Sequence, residues 1–270
     1  MKRIAAATML GIVAGFAALG TGGVANAAEN ASVSVVHGIP NTPVNVFVNG
    51  KITLKNFKPG TVAGPLSLPA GSYQVKIFAA ANTAGTGTPV ISATAQVPAG
   101  ANISLVAHLT AAGKPTITPF VNDVSKLAPG QARLVVRHTA AAPAVDVRAG
   151  GTPVIKGLTN PQQRVLNLPA ATVKADVVLA GTSTVAIGPA DVNLKEGTAT
   201  IVYAVGSAAD KTLGLVVQTI SGLHSSPGGV PAGNGGLADD GGMPGWLPLT
   251  VGIGVLAMAV GAVRLTATRR

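Results

Sequence analysis

The chain carries one pattern twice, because residues 33–69 recur with substitutions at 134–169. His37 and His138 occupy equivalent places in the two copies and lie 101 positions apart. A duplication restricts the fold, since both copies must form the same structural unit. At 270 residues and 47% apolar residues, the chain has enough length and hydrophobic material for two modules with cores of their own.

Short alternating segments fill each copy. Residues 44–48 alternate between valine and other side chains before a turn at Gly50, and residues 145–149 repeat this alternation. Turn signals recur at intervals of about 8 to 12 residues, and neither copy shows a helical period. The pattern predicts an all-β fold of two tandem immunoglobulin-like antiparallel β-sandwich modules, at 30–126 and 131–222.

The N-terminus has the form of an export signal. Lys2 and Arg3 precede an apolar stretch at 4–19, and small residues then provide an A-x-A site. This arrangement predicts a signal peptide at 1–27, with cleavage after Ala27.

The C-terminus predicts a membrane anchor. A stalk rich in glycine and proline is expected at 225–245, followed by 18 uncharged residues at 246–263. As a transmembrane helix these would span about 27 Å, close to the thickness of a hydrocarbon core. The basic tail at 264–270 is expected on the cytoplasmic side, which places the repeats outside the cell in a single-pass membrane protein.

A sortase-type signal is the alternative for this terminus. An L-P-x-T motif, an apolar run and a basic tail follow one another, although Val251 stands where that motif has glycine. The possible sorting motif consists of Leu247, Pro248, Leu249 and Thr250.

Charge and composition exclude several classes of function. The net charge is +10, but residues 28–263 contribute only +5, spread along the sequence. Aromatic residues make up 3% of the chain, so no stacking platform for bases is expected, and nucleic acid is not a predicted partner. The absence of cysteine excludes disulfides, thiolate metal sites and thiol nucleophiles.

The strand-end histidines are the only residues that invite a catalytic or metal interpretation. His37 and His138 each end the first strand of a copy, and only the first copy adds His108. A metal site needs several converging ligands, and Asp146, which might orient one ring, is Asn45 in the other copy. We therefore expect these histidines to bond backbone groups of the proline-rich turn that follows.

Five residues are candidate surface contacts. Phe47 alternates with the inward valines and is expected on an exposed sheet face, where Arg148 takes its place in the second copy; alternatively, a loop or the other module covers the ring. Lys51, Lys55 and Lys58 belong to a basic face suited to weak attachment to anionic envelope polymers. The alternative is a solvated surface that protects strand edges from aggregation.

Three motifs carry a family resemblance. The sequences V-V-H-G-I-P-N-T-P at 35–43, V-N-V-F-V-N-G at 44–50 and L-S-L-P-A-G at 66–71 resemble the domain-of-unknown-function family 4397. That family's pattern runs roughly V-V-H-x-x-P-x-x-P, V-D-V-Y-V-N-G and L-x-L-P-A-G. The second copy is similar around His138 and Pro143 but lacks the first proline and the strand aromatic. The resemblance implies two tandem copies in an exported bacterial, often actinobacterial, surface protein of sandwich fold, and supplies no catalytic residues.

Together these observations predict a non-enzymatic binding or structural protein of the bacterial cell envelope. No catalytic residue, metal ligand or cofactor is expected. The expected partners are a cell-envelope component or another surface protein, with the lipid bilayer contacted by the C-terminal helix. The alternatives are a surface enzyme or metal-dependent module that uses the strand-end histidines, and a sortase-anchored wall adhesin.

Overall fold

The computed structural model describes residues 29–225. In this part the chain forms sixteen strands in four-stranded sheets and no helix, which confirms the predicted all-β fold with paired sheets. No segment of the described part is a helix able to cross a membrane. The predicted signal peptide with its cleavage site after Ala27, the stalk beyond residue 225, the transmembrane helix, the basic tail and the motif at 247–250 lie outside the described residues.

The first repeat contributes eight strands, each five to nine residues long. They are β1 (Ala31–His37), β2 (Val44–Val48), β3 (Lys51–Phe57), β4 (Val62–Leu68), β5 (Gly71–Ala79), β6 (Ile91–Val97), β7 (Asn102–Leu109) and β8 (Pro115–Val121).

The second repeat follows the same order with eight further strands. They are β9 (Gln131–His138), β10 (Val145–Ala149), β11 (Thr152–Leu158), β12 (Gln163–Pro169), β13 (Ala171–Leu179), β14 (Val185–Leu194), β15 (Ala199–Val205) and β16 (Gly214–Ile220).

Each repeat has an inner and an outer sheet. The inner sheets have the orders β4-β1-β7-β8 and β12-β9-β15-β16, and the outer sheets β3-β2-β5-β6 and β11-β10-β13-β14. The prediction of purely antiparallel sheets is wrong, because β1 pairs in parallel with β7 and β9 with β15. The chain crosses to the outer sheet between these strands, so the later strand enters beside the first one in the same direction.

Alternating side chains fill a separate core inside each sandwich. In the first repeat, Val33 and Ile103 of the inner sheet pack with Val46 and Ile77 of the outer sheet. Leu134, Val147 and Leu158 are part of the corresponding core of the second repeat. Each repeat therefore has the hydrophobic core that the valine pattern predicts.

The two repeats also share a third core, which lies between their inner sheets. Val36 and Val106 of the first repeat pack with Val135, Ile201 and Tyr203 of the second. Neighbouring residues of the same strands point the other way into the sandwich cores, so these strands are buried on both faces. The repeats consequently form one compact unit, a packing that the pattern of two tandem modules does not predict.

A polar network crosses this shared core. The Arg137 guanidinium donates to the Tyr203 hydroxyl at 2.8 Å, to Asn122 Oδ1 at 2.7 Å and to the side chain of Gln163 at 2.9 Å. The Ser104 hydroxyl of the first repeat lies 2.8 Å from Gln218 Oε1 of the second. These bonds fix the lateral register of the two inner sheets, which apolar contacts alone leave free.

The linker between the repeats is held against the second repeat. Arg133 donates to the carbonyl oxygens of Asp123, at 2.7 Å, and Ser125, at 3.2 Å. Leu127 then exchanges backbone hydrogen bonds with Leu223 and Ser225. Both ends of the linker are thereby fixed, which completes the rigid connection made by the shared core.

Candidate functional site

The strand-end histidines bond the proline-rich turns, as predicted. His37 Nε2 lies 3.0 Å from the carbonyl oxygen of Thr42, and His138 Nε2 lies 2.9 Å from that of Pro143. Both rings are buried, and this burial lowers the pKa of each imidazole below its ordinary value. The rings are therefore neutral at pH 7, and each holds its turn through Nε2.

His108 is also occupied within the fold. Its Nδ1 lies 2.9 Å from the Leu109 carbonyl oxygen, and its Nε2 lies 2.8 Å from the Thr118 hydroxyl. Burial lowers its pKa as well. Among residues 29–225, no three histidine or carboxylate side chains are grouped to hold a metal ion.

Asn45 and Asp146 fasten loops at equivalent places. Asn45 donates to the carbonyl oxygens of Ala80, at 2.9 Å, and Asn82, at 2.8 Å, and its Oδ1 accepts from a backbone N–H. Asp146 instead accepts from the N–H groups of Gly157 and Gly181, whose bonds lower the pKa of this carboxyl. The first repeat has an amide here because two carbonyl oxygens of its loop need a donor. The second repeat has a carboxylate because its loops present two N–H groups, which need acceptors.

Phe47 is not a surface contact. Only 5% of its surface is exposed, and its ring lies 5.4 Å from that of Phe78 in an edge-to-face arrangement. A loop covers it so closely that a Cβ added to Gly85 would lie 2.6 Å from the ring. The interpretation of Phe47 as an exposed contact is therefore wrong, and the alternative of a covering loop is correct.

Arg148 is partly exposed and already paired. Its Nε donates to Asp176 Oδ1 at 2.8 Å, and a second guanidinium nitrogen reaches the other carboxylate oxygen. These bonds raise the pKa of Arg148 and lower that of Asp176. Arg148 therefore does not continue a patch begun by Phe47; it stands at the rim of a hollow in the second repeat.

The three candidate lysines are exposed on one side of the first repeat. Lys51 and Lys55 lie on β3, which is an edge strand of the outer sheet, and Lys58 follows this strand. Charged side chains on an edge strand hinder pairing with another chain, and the same charges attract anionic polymers. This position agrees with both interpretations of the basic face.

An apolar hollow opens between the two sheets of the second repeat. It has a volume of about 550 Å³, and its walls include Leu166, Leu168, Pro169, Val173 and Leu194. This volume lies within the range of small-molecule sites, which are concave and lined mainly by apolar side chains. We define this pocket as the hollow.

The first repeat has a larger side chain at one of the places that line the hollow. Tyr73 packs against the first core and donates its hydroxyl to the Pro69 carbonyl at 2.8 Å. Its counterpart is Val173, because Tyr73 pairs with Ala95 of β6 as Val173 pairs with Val192 of β14. Val173 therefore lines the hollow at the place where the first repeat has the larger tyrosine.

A second replacement enlarges the interior. Val75 is buried in the first core, whereas its counterpart Ala175 is smaller and lines the hollow. Ala175 also borders a cavity of about 40 Å³ deeper between the sheets. Val192 replaces Ala95 and restores only part of the lost volume.

One edge of the second sandwich is also open. Strands β6 and β8 contact each other along this edge in the first repeat. Their counterparts β14 and β16 border a pocket of about 310 Å³, which shares Val192 with the hollow. The second repeat is therefore accessible to small molecules from its end and from its edge.

A further cleft of about 440 Å³ lies between the repeats, near Pro40 and Thr212. Asn41 and Lys211 on its rim have positive φ angles of 64° and 56°. Its walls are mostly loop backbone, and they lack the apolar enclosure of the hollow. The hollow is accordingly the stronger candidate for a binding site.

One protein-family model matches part of the chain. Residues 31–148 match the model of a family described as a domain of unknown function, DUF4397. This part of the chain resembles that family. The match covers the whole first repeat and continues through β9 into β10 of the second, and the sheets of the second repeat have the same strand order as those of the first. The resemblance seen in the sequence is confirmed over these residues.

Other comparisons give no functional information. No curated protein matches the chain. Among solved structures, one similar chain is CBMbc, of family CBM26, from Eubacterium rectale Amy13K in complex with maltoheptaose. It is 10% identical, with a TM-score of 0.24 over 74% of this chain and 98% of that chain. A likeness at this TM-score says nothing about a ligand of this chain.

Proposed function

We propose that this chain is an exported, non-enzymatic binding protein of the bacterial cell envelope, and that the hollow of the second repeat is its ligand site. The supporting observation is the difference between the repeats. The first sandwich has Tyr73 packed against its core, while the second has Val173 at that place, beside about 550 Å³ of apolar space. Unfilled apolar space in a core lowers stability, so retaining it fits a site that gains its packing from a ligand.

The shared core supports this assignment. Because the inner sheets are fixed to each other by Arg137 and its partners, the closed repeat serves as a rigid support for the open one. A pocket held by rigid strands loses little freedom when it binds, which favours affinity.

In the proposed arrangement the signal peptide at 1–27 is removed and the helix at 246–263 anchors the repeats outside the membrane. The spacing of charge and hydropathy at the two termini supports this topology. Protease added to intact cells is expected to digest the repeats. A mature protein whose mass corresponds to a C-terminus at Thr250 would instead assign sortase attachment.

Photo-crosslinking on intact cells tests the binding role. A photoreactive amino acid placed at Val154, an exposed residue of the hollow's wall, is expected to capture an envelope component. The matched control is Thr53, which is exposed at the equivalent place of the first repeat. Equal capture from both positions, or capture from neither, would contradict a binding role for the hollow.

A further inference from the structure

Val173 lines the hollow at the place that Tyr73 occupies in the first repeat. In the first repeat, the ring of Tyr73 passes over Gly71, with a ring carbon 3.9 Å from the place of a Cβ on that glycine. Its hydroxyl ends at the Pro69 carbonyl. The ring therefore joins an apolar wall to one fixed hydrogen-bond acceptor.

The second repeat retains both parts of this arrangement without the ring. Ala171 stands at the place of Gly71, and a methyl group there makes ordinary van der Waals contact with a ring in the Tyr73 position. Pro169 corresponds to Pro69 and lines the hollow, while Val173 has no hydroxyl to offer its carbonyl. The hollow thus combines an apolar wall with a proline at the place where the Pro69 carbonyl accepts the Tyr73 hydroxyl.

We propose that the hollow binds a 4-hydroxyphenyl ring, in the place that Tyr73 fills in the first repeat. The ring packs against Leu168, Ala175 and Leu194, and its hydroxyl donates to the Pro169 carbonyl. This inference rests on the proposed binding function and specifies the ligand class. The ring comes either from a small phenol or from a tyrosine side chain of another protein, and the two sources are separated below.

An acyl chain fits these observations less well. It would occupy the apolar volume but offer no donor to the Pro169 carbonyl. The first repeat shows that this fold satisfies the equivalent acceptor with a ring hydroxyl.

Binding of 4-methylphenol to the repeats tests the inference, with methyl NMR signals as the readout. We expect saturable shifts at Val173, Leu168 and Leu194, and none at their first-repeat counterparts Leu68 and Val97. Toluene lacks the hydroxyl and is expected to bind about fivefold more weakly, the ratio for one neutral hydrogen bond. No shift at 20 mM 4-methylphenol, or equal affinity for toluene, would overturn the assignment.

Reciprocal variants place the site. V173Y combined with V192A reproduces the pair formed by Tyr73 and Ala95, places a ring of the protein itself in the hollow and is expected to abolish the shifts. Tyr73→Val is expected to open a second binding site in the first repeat. A cooperative thermal melt shows that each variant folds. Shifts that persist in that folded variant would overturn the site.

The source of the ring is decided by a short blocked peptide with one central tyrosine. Shifts at the same methyl groups, at least as strong as those from 4-methylphenol, assign a protein partner; binding of 4-methylphenol alone assigns a small phenol. Failure of every ring probe overturns this inference only. Capture from Val154 on cells would then still support the binding function with another ligand class.

Discussion

The guanidinium of Arg137 stacks over the ring of Phe120, with its central carbon 4.4 Å from the ring centroid. Arg137 belongs to the second repeat and Phe120 to the first, so this contact crosses the shared core. Only 1% of the Arg137 surface is exposed, and its guanidinium donates to the neutral side chains of Gln163, Tyr203 and Asn122. Burial lowers the pKa of this guanidinium and raises that of Tyr203, yet both groups keep their ordinary ionisation at pH 7.

Replacing this arginine is expected to weaken the whole unit. Arg137→Met retains length but leaves Tyr203 and Asn122 without their buried donor. A buried polar group that loses its hydrogen-bond partner lowers the free energy of unfolding by about 1–3 kcal/mol, and removal of the buried charge offsets part of this loss. Urea denaturation measures the change, with the exposed Arg164→Met as matched control. Equal midpoints for the two variants would contradict a structural role for the network.

Unfolding of the two repeats is expected to be one cooperative transition. The residues of the shared core come from both inner sheets, so exposing one sheet removes part of the packing of the other. Ile103→Val in the first core and Leu134→Val in the second are each expected to shift the same single calorimetric peak. Two separate peaks, each moved by only one substitution, would show independent repeats.

The sequence predicts the repeat, the strands and the bonding of the histidines, because these depend on local alternation and on short turns. It misses the shared core, although a signal is present: β15 reads A-T-I-V-Y-A-V, without alternating polar residues. Such a run is typical of a strand buried on both faces. Burial of Phe47 is missed because the covering loop around Gly85 has no periodic pattern. The hollow is also missed, because finding it requires the strand pairing of Val173 with Val192 and the comparison of Val173 with Tyr73 of the first repeat.

Exchanging the loop-fastening residues between the repeats is expected to harm both. Asn45→Asp places a carboxylate against the carbonyl oxygens of Ala80 and Asn82, while Asp146→Asn turns an amide donor toward the N–H of Gly181 or loses that bond. We expect the repulsion at Asn45 to cost about 2–3 kcal/mol and the lost bond at the exposed Asp146 to cost less. Thermal melts of both variants check this order, and an unchanged Asn45→Asp melt would refute the assigned amide orientation.

The loop over Phe47 is expected to tolerate a methyl group at one glycine better than at another. Gly85 and Gly87 both have positive φ, at 68° and 79°, but only at Gly85 would a Cβ meet the ring. Gly87→Ala should therefore cost about 1–2 kcal/mol of backbone strain. Gly85→Ala should cost about 1–3 kcal/mol more through overpacking. Equal losses in chemical denaturation would mean that the loop does not press on Phe47.

Mild acid is expected to destabilise the protein through its buried histidines. Burial lowers the pKa of His37, His108 and His138 in the folded state, whereas the pKa of a histidine in the unfolded chain is about 6.5. Below that pH the unfolded state binds more protons, so the free energy of unfolding falls as pH decreases. Above that pH these histidines make no difference to how stability depends on pH.

The paired aspartates do not contribute to this change, because their pKa values are lowered and they stay ionised at pH 5.5. Between pH 7.5 and 5.5 each histidine contributes a loss of at most about 1.4 kcal/mol. Urea midpoints at the two pH values measure it, and His138→Gln should reduce the acid-induced drop relative to the unsubstituted protein. A drop of the same size in the variant and the unsubstituted protein would show that His138 is not protonated on unfolding in this range.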